Sequence, residues 1–270
     1  MIFSSYEFVL GFFPVVFAVY WILNRFRYYH LSKIWMAVAS FYFYAQGSPD
    51  FFVFFLGSVT ANYVVGTTLC KMQEDSYLAQ RRILMAVGVL ANVALLGYYK
   101  YYDFFIENVN TLTGLDFAMK NIALPIGISF FTFQLIAFLV DSYRGLTKEY
   151  NVLDYLLFIT FFPQLIVGPI VHHKEMTVQF EDEGNMRLNY KNIALGIFIF
   201  AIGLGKKMLL ADPLNNNAAE FYGAVGDQVT MWQAWFYTLE YSISYYFDLS
   251  GYTDMAIGLG KLFGFDFLEN

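Results

Sequence analysis

Uncharged apolar runs recur along this chain, and several are as long as a bilayer crossing, which takes ~20 mostly apolar residues in a helix. Phe8 to Asn24 and Phe51 to Cys70 carry no charge at all. Ile83 to Tyr99 is interrupted only by the polar Asn92, and Asn121 to Val140 is uncharged again. Ile34 to Pro49 is shorter and ends in the turn-like Gln46-Gly47-Ser48-Pro49-Asp50. Tyr155 to Val171 follows a short charged linker; Ile193 to Gly205 is brief and is expected to stop at Lys206 and Lys207. Gln228 to Phe247 is strongly aromatic and carries only Glu240. Gly251 to Phe265, with Asp254 and Lys261 among small residues, reads as re-entrant or shallow.

The pattern predicts an all-α, polytopic transmembrane chain with broken or re-entrant helices. The clearest break is expected at Phe161-Phe162-Pro163-Gln164-Leu165-Ile166-Val167-Gly168-Pro169, where two prolines and a glycine in nine residues deny a straight helix. Freed backbone at membrane depth is tolerated only against protein or a water-filled cavity, so this stretch is a candidate tunnel element. No repeat or low-complexity linker divides the chain, and 1–270 is taken as one membrane domain.

Composition agrees with the pattern. Hydrophobic residues make up 58% of the chain and charged ones 14%, against ~25% in an average soluble domain. The 31 Phe and 22 Tyr suit a bilayer and its interfaces. A net charge of −6 without a basic run argues against nucleic acid. One cysteine, Cys70, excludes an internal disulfide and reads as a buried or lipid-facing thiol. Only Glu7 precedes the first apolar run, whereas Arg25, Arg27 and Lys33 follow it. That order denies a cleavable signal peptide and places the N-terminus outside. The basic linkers 25–33, 71–82, 141–150 and 206–207 are then expected on the cytoplasmic side.

Polar groups among these runs are the candidates for chemistry, because a charge at mid-membrane costs ~2.5–3.5 kcal/mol on insertion scales. Ser129, Thr132 and Gln134 follow Pro125, which suits a helix start, and read as interhelical hydrogen-bonding groups. Asp141 and Arg144 are spaced to pair. His172 and His173 are adjacent, lack the spacing of a metal site, and read as boundary histidines; no metal is expected. Gly258 and Gly260 follow no strand, which rejects a dinucleotide fingerprint. Gly203-Leu204-Gly205-Lys206-Lys207 has neither the spacing nor the hydroxyl of a phosphate loop, and small residues there suit close helix packing. Asp248 and Asp254 lie amid apolar and small residues, and Asp254 is the stronger functional candidate.

Seven stretches in order resemble the membrane-bound O-acyltransferase family, most closely its bacterial branch that contains the alginate O-acetyltransferase. They are Met1-Ile2-Phe3-Ser4-Ser5, Gly97-Tyr98-Tyr99-Lys100-Tyr101, Leu124 to Phe130, Asp141-Ser142-Tyr143-Arg144-Gly145, Phe162 to Ile170, Lys206 to Asp212, and Asp248 to Gly258. The resemblance covers essentially the whole chain. It implies helices around a tunnel in which a thioester acyl donor, acetyl-CoA or an acyl carrier, meets an acceptor from the other face. No covalently bound cofactor is implied. In the bacterial branch it implies transfer of an acetyl group to hydroxyls of an extracytoplasmic polysaccharide such as alginate, in the inner membrane, alongside periplasmic acetylation partners or an acyl carrier.

The family's catalytic histidines lie in Trp-Arg-Arg-Trp-His and Gly-Leu-Trp-His-Gly stretches. Here the only histidines are His30, His172 and His173, outside both motifs. No catalytic residue can therefore be assigned; the chain reads as the N-terminal part of such a fold and is expected to be inactive alone. The residues expected to line the tunnel are Gln164, Pro169, Ser250, Tyr252 and Asp254, shaping it and hydrogen-bonding rather than moving protons. A transporter or channel would also use broken helices and an intramembrane Asp254, but should show related halves, and none is found. An inactive membrane scaffold is the third reading.

Overall fold

A computed structural model describes residues 1–72, 77–146, 151–165, 168, 173–224 and 229–267, and among these it is helical with no strand. Among the described residues, four helices are long and apolar enough to cross a membrane: Glu7–Arg25, Pro49–Lys71, Leu78–Thr113 and Tyr190–Gly223. Together with the apolar composition they make this an all-α polytopic membrane protein. The side chains these helices leave exposed are largely aliphatic and aromatic, such as Leu10, Val15, Val53, Val64, Ile83 and Leu90. In lipid such a surface needs no further cover.

The chain divides into two compact units. The first holds Met1–Ser32, Val167–Pro169 and Asp182–Asn270. Its helices are α1 (Phe13–Arg25), α10 (Tyr190–Gly205), α11 (Asp212–Ala224) and α12 (Met231–Leu262). A π-helical segment, Glu7–Phe12, leads into α1, and another, Lys206–Ala211, joins α10 to α11 without a turn. The expected stop at Lys206 and Lys207 therefore does not occur: the pair lies within a continuous helix and is no linker. Likewise Gln228–Phe247 and Gly251–Phe265 are not separate segments. Thr230 caps α12 through a reciprocal pairing with Gln233, and the helix runs unbroken to Leu262. Close packing, not lipid, holds its glycine-rich end: Met255, Ala256, Leu259 and Gly260 are buried. The α1 helix fastens there, with Tyr20 Oη donating to the Phe263 carbonyl at 3.2 Å and Trp21 Nε1 to the Leu262 carbonyl at 3.2 Å.

The second unit holds Lys33–Ile166 and Ile170–Glu181. It is built from most of α2 (Tyr29–Gly47), α3 (Phe52–Lys71), α4 (Leu78–Leu96), α5 (Tyr102–Thr113), α6 (Ile128–Arg144), α7 (Val152–Thr160), α8 (Phe162–Leu165) and α9 (His173–Glu181). A π-helical segment at Gly97–Tyr101 joins α4 to α5. Gly127, at φ +70°, precedes α6, so that helix starts at Ile128 and leaves Pro125 outside it. Aromatic rings fill the interior: Phe55 stacks on Tyr44 at 4.1 Å and meets Phe131 edge-on at 5.2 Å. Buried Asn62 and Asn92 exchange side-chain hydrogen bonds of 3.2 and 2.7 Å between α3 and α4. Lys33 and Asp154, the latter nearly fully buried, form an ion pair of 2.7 Å.

The break at Phe161 falls where the prolines demand it. Pro163 has no N–H to offer the Ile159 carbonyl, and its ring crowds that carbonyl. The backbone groups set free find side chains. Gln134 Nε2 donates to the Phe158 carbonyl at 3.3 Å, and the Phe162 N–H donates to Ser40 Oγ at 3.1 Å. Gln134 thus acts between helices, as its position in an apolar run implied. Ser129 does so too, accepting a hydrogen bond of 3.3 Å from Lys100 in the Gly97–Tyr101 segment.

Candidate functional site

Glycines set the geometry of the first unit. Gly196 and Gly203 on α10 face Gly258 and Gly251 on α12, each pair seven residues apart on both helices. A Cβ on Gly203 would stand 2.6 Å from the Gly251 carbonyl oxygen, and one on Gly258 would stand 2.7 Å from the Gly196 carbonyl oxygen. The backbones therefore approach to a distance only glycine allows, and the two helices run antiparallel in fixed register. The glycines that fail as a phosphate loop serve this packing.

Directly beyond the glycine seam the same register brings charges together. Lys206 Nζ lies 2.6 Å from Asp254 Oδ2 and 3.0 Å from Ser250 Oγ. Lys207 Nζ lies 2.7 Å from Asp212 Oδ1 and 2.6 Å from Asp248 Oδ1. Two lysines thus stand against three aspartates. The π-helical segment that starts at Lys206 adds a residue per turn and lets consecutive lysines reach different partners on α12. Lys207 is more covered than its partners Asp212 and Asp248, whereas Lys206 and Asp254 are covered alike, at 30% and 26% exposure. These pairs are therefore weaker than fully buried ones but stronger than surface pairs.

A small cavity of about 70 Å³ opens beside Lys207, lined by Asp212, Asn215, Tyr241, Ser244, Tyr245 and Asp248 among others. Further along, Asn217 Nδ2 donates to Glu240 Oε1 at 2.9 Å. The second carboxylate oxygen of Glu240 is buried and has no hydrogen-bond partner among the described residues.

Of the five expected lining residues, the structure gathers two. Ser250 and Asp254, four apart on one face of α12, meet at Lys206. Tyr252 points elsewhere: its ring packs on Phe3 at a centroid distance of 5.1 Å. Gln164 is buried in the short helix after the Phe161 break, in the second unit. Pro169, like His172, lies outside the described residues. His30 is exposed near the start of α2. Sequence reading missed the lysines as part of the site, because it took them for the end of a span. Part of the signal was there: aspartates within apolar helical runs need countercharges, and lysines in another such run can supply them.

Comparison with known proteins bears on what such a site serves. A model of the membrane-bound O-acyltransferase family, MBOAT, matches residues 110–270. The peptidoglycan O-acetyltransferase of Helicobacter pylori is 40% identical over 97% of this chain and 54% of its own length. The probable alginate O-acetylase AlgI of Pseudomonas aeruginosa is 36% identical over 100% of this chain and 51% of its own. The teichoic acid D-alanyltransferase of Bacillus subtilis is 29% identical over 54% of this chain. The chain spans about half the length of the full-coverage relatives it matches.

Proposed function

Since this chain belongs to the membrane-bound O-acyltransferase family, we propose that it forms part of an enzyme that moves an acetyl group from a cytoplasmic thioester to hydroxyls of an extracytoplasmic polysaccharide. The single observation that carries the proposal is the full-coverage likeness to an O-acetyltransferase of peptidoglycan at 40% identity. The donor is acetyl-CoA or an acyl carrier, and periplasmic acetylation proteins are the partners. In the reaction, the acceptor oxygen bonds to the thioester carbonyl carbon, the C–S bond breaks, and the hydroxyl proton passes to a base as the thiol departs. Of the residues expected to line the passage, Ser250 and Asp254, held by Lys206, are the ones that hydrogen-bond within it. The base is a histidine in motifs that these 270 residues do not contain.

The two units are taken as parts of one membrane domain in the inner membrane, with the N-terminus outside. This topology differs from the expectation after residue 150: 206–207 is no longer a cytoplasmic linker, and the 174–191 stretch moves to the cytoplasmic side. With Lys206 and Lys207 inside a helix and neutralised by aspartates, the cytoplasmic positive charge is carried by 25–33, 71–82, 144–148, 174–191 and Lys261. The segment between α11 and α12, which contains no Lys or Arg, lies outside.

Acetyl transfer from a labelled thioester, measured in vesicles with this chain and with a longer chain carrying the two histidine motifs, tests the reading. Turnover is expected from the longer chain alone. In it, Asp254→Ala should lower kcat at least about tenfold through lost positioning. Unchanged kcat and yield would remove Asp254 from the passage, and no transfer by the longer chain would overturn the activity itself.

A further inference from the structure

The second unit holds a buried hydroxyl that bonds to nothing. Tyr44 is 3% exposed, and its Oη is sealed from solvent with no hydrogen-bond partner among the described residues. An unmade bond of this kind is costly in an apolar interior, and native chains rarely carry one without a reason. Two other deeply buried tyrosines show what it lacks. Tyr20 Oη donates to the Phe263 carbonyl at 3.2 Å, and Tyr155 Oη donates to the Val59 carbonyl at 2.7 Å. Tyr44 lies on α2 between Ser40 and Ser48, which share its face of the helix at one turn, about 6 Å, to either side. Ser40 Oγ accepts from the Phe162 N–H at 3.1 Å, just past the break at Phe161. Ser48 Oγ accepts from the Ile126 N–H at 3.2 Å, beside Pro125 and ahead of α6. The free hydroxyl thus belongs to the face of α2 that meets both places where helical backbone stops inside the unit. Backbone without a helical ladder parts more readily than a helix does, so these are the places that can admit a chain.

The walls select the missing acceptor. The Tyr44 ring stacks on Phe55 at 4.1 Å, and Phe131 meets Phe55 edge-on at 5.2 Å. Phe43, next to Tyr44, packs on Phe162 at 5.6 Å. A sugar would bring several hydroxyls against these rings, each needing a partner, and an anion would need a cation. One carbonyl on a thin, uncharged chain needs only the single donor that Tyr44 offers. We propose that Tyr44 Oη donates a hydrogen bond to a carbonyl oxygen of the thioester donor, where the donor's arm passes the break at Phe161. The bond is the same before and during transfer, so Tyr44 binds the donor and moves no proton. The inference rests on the acyl-transfer reading, and its test separates the two.

The experiment uses the longer chain that carries the two histidine motifs, with acetyl-CoA as the probe. Tyr44→Phe removes one oxygen and keeps the ring stack. Without acetyl-CoA the variant should melt at or above the wild-type Tm, because an unpartnered hydroxyl is lost. Acetyl-CoA in the absence of acceptor should raise the Tm of the wild type more than that of the variant. In turnover, KM for acetyl-CoA should rise about three- to tenfold while kcat changes by less than about twofold. An unchanged KM overturns the proposal, as it would if a buried water or the ester carbonyl of a lipid took the bond. A lower Tm without acetyl-CoA also overturns it, because the hydroxyl would then have a partner in the protein itself. So does a fall in kcat at unchanged KM. If the wild type neither binds acetyl-CoA nor transfers acetyl, the acyl-transfer reading falls and this proposal with it. Transfer that is indifferent to Tyr44→Phe sinks this proposal alone.

Discussion

Single side chains here decide whether buried polarity is tolerable. Asn62 and Asn92 each accept from the other's amide between α3 and α4, so removing either one leaves the other's buried Oδ1 without that donor. Asn62→Leu or Asn92→Leu should each cost about 1–3 kcal/mol, while the double variant should cost less than the sum. Thermal unfolding in detergent, read as a double-mutant cycle, checks this. Additive losses would mean that the pair is not formed. The same logic with charges applies to Lys206 and Asp254. Lys206→Met and Asp254→Asn should each destabilise by about 1–3 kcal/mol, discounted from a fully buried pair because both ends keep some exposure, and the double variant should recover part of the loss. Glu240 behaves in the opposite way. It holds a buried oxygen without a partner, so Glu240→Gln should keep the bond to Asn217 and raise Tm, and a fall in Tm would show that the second oxygen is engaged.

Between helices, backbone contact governs. The α10–α12 seam has no room for a methyl group at Gly203 or Gly258, where a Cβ would lie 2.6–2.7 Å from backbone atoms. Gly203→Ala and Gly258→Ala should therefore destabilise by about 1–3 kcal/mol, and by parting the helices should also separate Lys206 from Asp254. Gly57→Ala is the matched control: nothing stands within 4 Å of its Cβ position, and a helical glycine replaced by alanine should be neutral or slightly stabilising. Equal losses at all three sites would show that the seam is looser than its geometry. The break in the second unit is held by a different device. Gln134→Leu should expose the Phe158 carbonyl to an apolar surround and cost about 1–3 kcal/mol, whereas Gln134→Glu should cost more by adding a charge without a donor. Melting of the variants in one detergent ranks them.

Across the whole chain, the topology proposed above, with the N-terminus outside, rests on the positive-inside rule. In a Cys70→Ser background, a cysteine at Thr230 should react with an impermeant maleimide from outside intact cells, and one at Gly184 only after lysis. Labelling of both positions from the same side would break the topology proposed for α10 to α12. Much of this scale was legible beforehand. Apolar runs near 8–24, 51–70 and 83–99 became helices long and apolar enough to cross a membrane, and the Pro163 break appeared at Phe161, because apolar length and the missing proline N–H are properties of local sequence. The segmentation after residue 190 was not legible. Lys206 and Lys207 looked like a terminus because a lone lysine is costly in lipid; three aspartates from 5 to 48 residues away in sequence remove that cost. For the same reason Ser250 and Asp254 were found as candidates but Lys206, their common partner, was not. Tyr252, sharing their motif, faces Phe3 because residues two apart on a helix point to opposite sides.

What the sequence by itself determined is the class of the molecule: a helical membrane chain, broken at its prolines and bearing the ordered stretches of an acyltransferase family. Hydropathy, the proline ring and residue identity act within a few positions of each other, so reading along the chain is enough for them. Tertiary structure alone decided which glycines touch and which lysine neutralises which aspartate. Those depend on the antiparallel register of α10 and α11 against α12, where groups far apart in sequence meet within 3 Å. No local pattern encodes that register; it is set by the distance to which two backbones can close.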